Sequence, residues 1–421
     1  MSRNATLVFL ALLFVSLPGS AATRLTYHMA DKQVGVRWPD ASFPIRYEVD
    51  RRLANALPGG TIDRAFGMWS AIEEATLTFE GSVVDGARAG YDGKNTISIA
   101  DGLFANQGAL AYTTNWYDSK GHLTESDVVI DASLSSGKYN VQAAIAHEIG
   151  HMLGLDHSAV LSSVMFPYLP RGADLPELDS DDRIGITGVY PKIDPALERG
   201  TLRGRVVNGK GGIFAAQVVA MNELGVPVAT TLSQATGAFE LGGLPPGNYR
   251  VYAEPLDGPV ETRNLAGIYR DAKEDFFPTQ FLDHRVRLDS GQVVGNLIVN
   301  SSDRPVVLNP KWIGIGDEMT SQFTLTSTAS LVRNGQTINL AIAGDGIIGG
   351  MTKFEVMNPG VTRVSEFNYA SNYVYATFRV AGDAAPGSAV VLVTSGNDTA
   401  ALTGALRILT GNGGRTRIAR R

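Results

Sequence analysis

The string HEIGHMLGLDHS at 147–158 restricts this chain more than any other feature. It places His147, His151 and His157 close together in a protein that has 6 His in all and 0 Cys. Without cysteine there are no disulfides, thiolate nucleophiles, iron–sulfur clusters or Cys-ligated metals, so any bound metal must be held by His and carboxylates. His147 and His151 stand four positions apart, which on a helix stacks both imidazoles on one face. Gly154 then lets the backbone leave the helix with positive φ, and His157 arrives as a third nitrogen ligand. Three nitrogens leave one coordination position open, the arrangement of a catalytic zinc and not a structural one. Glu148 follows the first ligand directly and is the candidate general base for a water activated by that metal. HExxH alone occurs on ordinary helices; the third His and its preceding Gly give the pattern its specificity. Met165, in SVMFPY at 163–168, is a second element, placed where a Met-turn would lie below the metal.

The remaining composition bounds the other functions. With 421 residues, two to four domains of about 100–200 residues are expected. A net charge of -6 lacks the electrostatic footprint of a nucleic-acid binder. Gly, at 47 residues, exceeds the usual share of roughly 7% and suits a turn-rich, β-heavy protein. The N-terminus, MSRNATLVFLALLFVSLPGSAA, has a basic start, a short apolar run broken by Pro18 and Gly19, and small residues after it. It reads as a signal peptide over 1–22, so the chain is expected to be exported, secreted or held at the cell surface. No later run reaches about 18 uncharged apolar residues, so no transmembrane segment is expected after signal removal.

Residues 23–192 read as an α+β domain. Ile62, Phe66, Trp69 and Ile72 recur at helical spacing over 61–75, with Thr61 as candidate N-cap; further helices are expected over 141–153 and 179–189. Strands are expected at 38–49, 76–80, 96–100 and 127–130. Residues 193–200 read as a linker. Beyond it helical periodicity fades, and short β-type runs separated by Gly/Pro turns fill 201–300 and 303–410, arguing for two β-sandwich domains. The end, GNGGRTRIARR at 411–421, reads as a basic flexible tail.

With these motifs in view, the 23–192 region resembles the matrixins, the matrix-metalloproteinase-like branch of the metzincin zinc peptidases. HEIGHMLGLDHS follows the matrixin pattern through Ser158. RAFGMWSAIEEATLTF (64–79) is similar to the family's first helix and next strand, GALAY (108–112) to the edge strand above the cleft, and DDRIGITGVY (181–190) to the last helix. The resemblance implies a twisted mixed sheet with three helices, one catalytic Zn2+ held by His147, His151 and His157, Glu148 as general base and Met165 beneath the metal. It also implies an extended protein or peptide substrate beside the backbone of Leu110 and Ala111, with Pro167 and Tyr168 in the wall of the pocket. The chain departs from the family in three respects. It lacks the cysteine of a cysteine switch. Between residues 29 and 146 its only His is His122, so a second, structural zinc is not expected. The wall reads Pro167-Tyr168-Leu169 instead of Pro-x-Tyr. Asp and Gly are frequent around 85–102 and 118–131, which is compatible with Ca2+, but no ligand set is legible. His122 reads as a loop residue, His28 and His284 have no assigned role, Trp38 and Trp69 read as core, and Asp181 and Asp182, at a helix start, as groups for capping and tertiary hydrogen bonds.

GAFELGGLPPGNYRVYAEP (237–255) resembles the carboxypeptidase-regulatory-like β-sandwich, with Phe239, Leu241, Tyr249 and Val251 facing its core. INLAIAGDGI and DAAPGSAVVLVTS resemble bacterial Ig-like modules. Neither region carries a catalytic set; spacing, substrate docking and cell-surface contact are the roles open to them. A zinc-binding surface adhesin and a processing peptidase dedicated to one partner are the rival readings to a general secreted endopeptidase.

Overall fold

The computed structural model describes residues 23–29, 32–103, 109–170, 177–192, 199–256, 258–270, 272–273, 275–304, 306–316 and 322–410. The signal-peptide reading at 1–22, most of the linker and the tail lie outside these residues.

The chain enters through a hairpin of β1 (Thr26–Met29) and β2 (Lys32–Gly35). A mixed sheet follows, made of β3 (Ile45–Asp50), β4 (Phe79–Val84), β5 (Asn95–Ala100), β6 (Ala111–Tyr117) and β7 (Leu123–Asp131). Its order is β4-β3-β5-β7-β6; all neighbours are parallel except β6, which runs antiparallel to β7 at the edge. Four helices lie among the described residues of this part: α1 (Arg51–Ala56), α2 (Thr61–Ser70), α3 (Val141–Met152) and α4 (Ser180–Val189). The periodicity reading missed α1, which is too short to show a pattern; its signal was Asp50, whose side chain accepts from Arg52 N as an N-cap.

Several expectations need correction. The strand expected at 38–49 forms only over 45–50, after a 3-10 turn at 40–42, and the one expected at 76–80 stands at 79–84. Thr61 is not the cap of α2 but its first residue: Gly60 caps it in the left-handed region, and the Thr61 hydroxyl donates to Pro58 O at 2.6 Å. The helix also ends at Ser70, not Ala75, because Ile72 N turns back to Trp69 O in a tight final turn that still delivers Ile72 to the core. The core reading of the two tryptophans agrees with the structure. Trp69 is fully buried and its indole donates to Ala146 O at 2.9 Å; Trp38 donates to Met152 O at 2.8 Å. Both thereby pin α3, the helix that carries the first two histidines.

Among the described residues, the region from Gly200 onward is all β apart from short 3-10 turns. Strands 217–222, 227–232, 247–254, 280–281 and 286–288 form one sheet, and 200–208, 211–212, 238–244 and 293–300 another. Their inward residues, Phe239, Leu241, Tyr249 and Val251 among them, meet in one core. Strands between 309 and 409 form a second pair of sheets around Ile313, Leu340, Val374, Phe378, Val391 and Leu406. These layers are not strung out on a linker. Leu161 and Phe166, which flank Met165, share the core of the last pair of sheets, and Val219, Met221 and Tyr252 pack against Val390, Leu392 and Ala401. Apolar burial of this kind makes relative motion of the parts costly.

Candidate metal centre

α3 builds the first half of the centre. Asn140 caps it, its side chain accepting from Ala143 N at 3.0 Å. At the other end Gly154 has φ +90°, and Gly154 N and Leu155 N bond back to His151 O and Gly150 O, each at 3.0 Å. This is a Schellman termination. It requires glycine twice over, since a Cβ there would lie 2.4 Å from Val36 O. The turn delivers His157 to the same face as His147 and His151. The three Nε2 atoms converge, with His151 Nε2 at 3.1 Å from His147 Nε2 and 3.3 Å from His157 Nε2. Two nitrogens bound tetrahedrally at roughly 2.0–2.1 Å from zinc would stand about 3.3 Å apart, so the donor set fits that ion.

Each ring is oriented by a backbone carbonyl. His147 Nδ1 donates to Val164 O at 2.7 Å, His151 Nδ1 to Leu155 O at 2.9 Å, and His157 Nδ1 to Asn264 O. A carbonyl only accepts, so each Nδ1 carries the proton and each Nε2 lone pair points inward. Burial, with the neighbouring His157 ring, lowers the pKa of His147 to about 3, and burial with both neighbouring rings lowers that of His151 well below the imidazole range. Both are therefore neutral and free to ligate.

Glu148 is 5% exposed, and its Oε2 accepts from Thr113 Oγ1 at 2.6 Å. Burial raises its pKa to about 7 against the lowering effect of that hydrogen bond; a cation beside it would act in the opposite direction. Asn115, also on β6, donates to His151 O at 2.9 Å. Thr113 and Asn115 carry no motif and were not singled out in the sequence; their only prior signal is their two-residue spacing on one face of the edge strand. Met165 lies under α3, against Gly150. Asp182 holds the Met165 turn, accepting from Ser163 Oγ at 2.5 Å, Val164 N at 2.9 Å and Met165 N at 3.2 Å. Asp181 accepts from Ser158 Oγ at 2.7 Å and from Thr230 N at 2.7 Å. The two aspartates thus make the capping and tertiary hydrogen bonds expected of them at a helix start. They tie the metal loop to α4 and to the following β region.

Among the described residues, these three histidines form the one group of three or more His or carboxylate side chains placed to share an ion. Leu110 and Ala111 differ in their fitness for pairing. Leu110 O accepts from Asp131 N at 2.8 Å and so faces into the sheet, while Ala111, opposite Ile130, turns its N–H and C=O to the open edge by the alternation of an antiparallel ladder. Of the two residues expected beside a substrate backbone, Leu110 therefore has its carbonyl engaged within the sheet. Pro167 is partly buried and Tyr168 is exposed, its hydroxyl accepting from Asn264 Nδ2 at 3.4 Å. His122 stays apart and pairs with Asp118 at 3.2 Å; His284 pairs with Asp283. In the acidic stretch where calcium seemed compatible, Glu125 accepts from the backbone of Asp92 and Gly93, and Asp127 from Gly90 and Thr96.

The family model for matrixin, peptidase family M10, matches residues 42–191. Residues 42–191 are a matrixin domain. Among curated proteins, the chain is 31% identical over 137 residues to Metalloendoproteinase 4-MMP of Arabidopsis thaliana, covering 30% of this chain and 38% of the relative. It is 30% identical over 168 residues to Metalloendoproteinase 2-MMP of the same plant, covering 37% and 43%. To Interstitial collagenase of Sus scrofa it is 27% identical over 206 residues, covering 47% and 39%. The chain therefore spans less than half the length of these relatives. The matrixin match begins at Ser42, and residues upstream pack against it: Trp38 lies in the same core, Leu25 N donates to Gly154 O and Asp156 N to Thr23 O.

Proposed function

We propose that the protein is an exported zinc-dependent endopeptidase that hydrolyses extended protein or peptide substrates. The observation that carries this reading is the convergence of three Nε2 atoms beside a buried carboxylate within a matrixin domain. His147, His151 and His157 would hold one zinc ion, which supplies Lewis acidity and makes a water acidic near neutral pH. Glu148 acts as general base, taking a proton and later returning it to the leaving amine. Thr113 holds Oε2, which leaves Oε1 for that proton traffic. The outward N–H and C=O of Ala111 pair with the substrate backbone, giving affinity without dictating sequence. Pro167 and Tyr168 line the wall beneath it. We read 23–192 as the catalytic unit and 201–300 and 303–410 as β-sandwich modules, with cell-surface contact assigned to the latter pair.

The test is a paired digest. Residues 23–421 and the Glu148→Ala variant, both supplied with zinc, are assayed on casein and a mixed peptide library. We expect chelator-sensitive cleavage by the parent and a loss of about 10²–10⁴-fold in the variant. A parent that binds one equivalent of zinc and cleaves nothing would end the general peptidase reading in favour of an adhesin or a dedicated processing enzyme.

A further inference from the structure

His147 and His151 are oriented by carbonyls of the matrixin domain itself, at Val164 and Leu155. The partner of His157 is different. Asn264 lies 107 residues further on, in the segment between strands 247–254 and 280–281 of the first β region. That segment is built to stay in place. Its 3-10 turn, Thr262–Asn264, is closed by Asn264 Oδ1, which accepts from Glu261 N at 2.9 Å. Leu265 is buried at 4% in the apolar core it shares with Leu161 and Phe166. Asp156 clamps it to the third ligand: one carboxylate oxygen accepts from His157 N at 2.8 Å and the other from Ala266 N at 2.9 Å. On the far side Gly267, at φ +59°, presses against β1 so closely that a Cβ would lie 1.9 Å from Thr26 O.

We infer that residues 261–267 of the first β region are a positioning element of the metal centre, with Asn264 O orienting the ring of His157. The inference rests on the zinc centre proposed above. It means that the accessory region completes the shell around the third ligand and cannot be a mere spacer, because ring orientation and tautomer govern how well an imidazole binds a metal.

The contact is made by backbone, so the variants act on the turn that aims it. Asn264→Ala removes the closure on Glu261 N, and Gly267→Ala forces the strap away from Thr26. Gly225→Ala is the comparison: its Cβ would lie 1.8 Å from Met357 O, so it strains a contact within the β regions that does not involve the strap. In the 23–421 protein, zinc dissociation constants are measured by competition with a chromophoric chelator, and visible spectra are recorded with Co2+ in place of zinc. We expect the two strap variants to bind zinc about 10–100-fold more weakly and to shift the cobalt spectrum, with Gly225→Ala changing neither. The inference fails if folded strap variants, judged by circular dichroism, keep the parent constant and spectrum, or if Gly225→Ala weakens zinc equally. Should Gly267→Ala not fold, Asn264→Ala decides. A parent that binds no zinc would remove the centre itself, an outcome distinct from unchanged binding in the variants.

Discussion

Gly150 and Met165 are in direct contact across the floor of the metal centre: a Cβ on Gly150 would lie 2.1 Å from the Met165 sulfur and 3.0 Å from the Trp69 ring. The glycine sits within the last turn of α3, and inside a helix glycine costs roughly 1 kcal/mol against Ala. Here that cost admits the thioether beneath the two ligating turns. Gly150→Ala should therefore lower stability despite its better helix propensity, by about 1–3 kcal/mol from overpacking, measured by urea unfolding. A variant more stable than the parent would show that Met165 can move aside freely.

Thr113→Val keeps the shape of the edge strand and removes the hydroxyl that donates to Glu148 Oε2. A hydrogen bond to a charged group contributes about 1.5–3 kcal/mol. If Glu148 is the base as proposed, kcat should fall about tenfold or more with KM little changed, because the hydroxyl would orient that base without touching substrate. An equal rise in KM would place Thr113 in substrate binding instead.

Asp182→Ala should be among the most damaging changes outside the histidines. It strips the acceptor from Ser163 Oγ and from the N–H groups of Val164, Met165 and Asp179, all buried. A loss of about 3–5 kcal/mol is expected for such a network, together with weaker zinc binding, since Val164 O orients His147. Thermal unfolding with and without chelator separates the two effects.

Burial raises the pKa of Asp181 to about 7, with the Asp182 charge adding to it, and that of Asp182 to about 6, with Asp179 adding to it. The folded state therefore holds protons that the unfolded state releases near the ordinary value of 3.8. The contribution of these groups to stability is full below that value and is lost as pH rises through about 7. Asp181→Asn can still accept from Thr230 N and donate to Ser158 Oγ, so it should flatten the fall of Tm across this window. A parent and variant with parallel Tm–pH curves would refute the assignment.

What was legible in the sequence was local. The four-residue spacing of His147 and His151, the exit at Gly154 and the approach of His157 all lie within one helix and its termination, so backbone geometry dictates them. Strand 95–100 and helix 141–152 were expected close to where they stand, whereas of strand 123–131 only 127–130 was expected. The six-residue helix α1 was missed because so few residues show no period, and the end of α2 was misplaced because Ile72 is apolar whether or not it is helical.

The sequence alone determined which side chains can bind a metal and that they share one face, because ligand chemistry and helical periodicity are properties of neighbouring residues. Only the tertiary structure decided what orients them. Val164 and Asn264 act through backbone carbonyls that any residue would supply, and Thr113 reaches the helical Glu148 from the edge strand. A hydrogen bond of that kind leaves no mark on residue type. It exists only once the sheet edge, the Met165 turn and the first β region have packed against the helix.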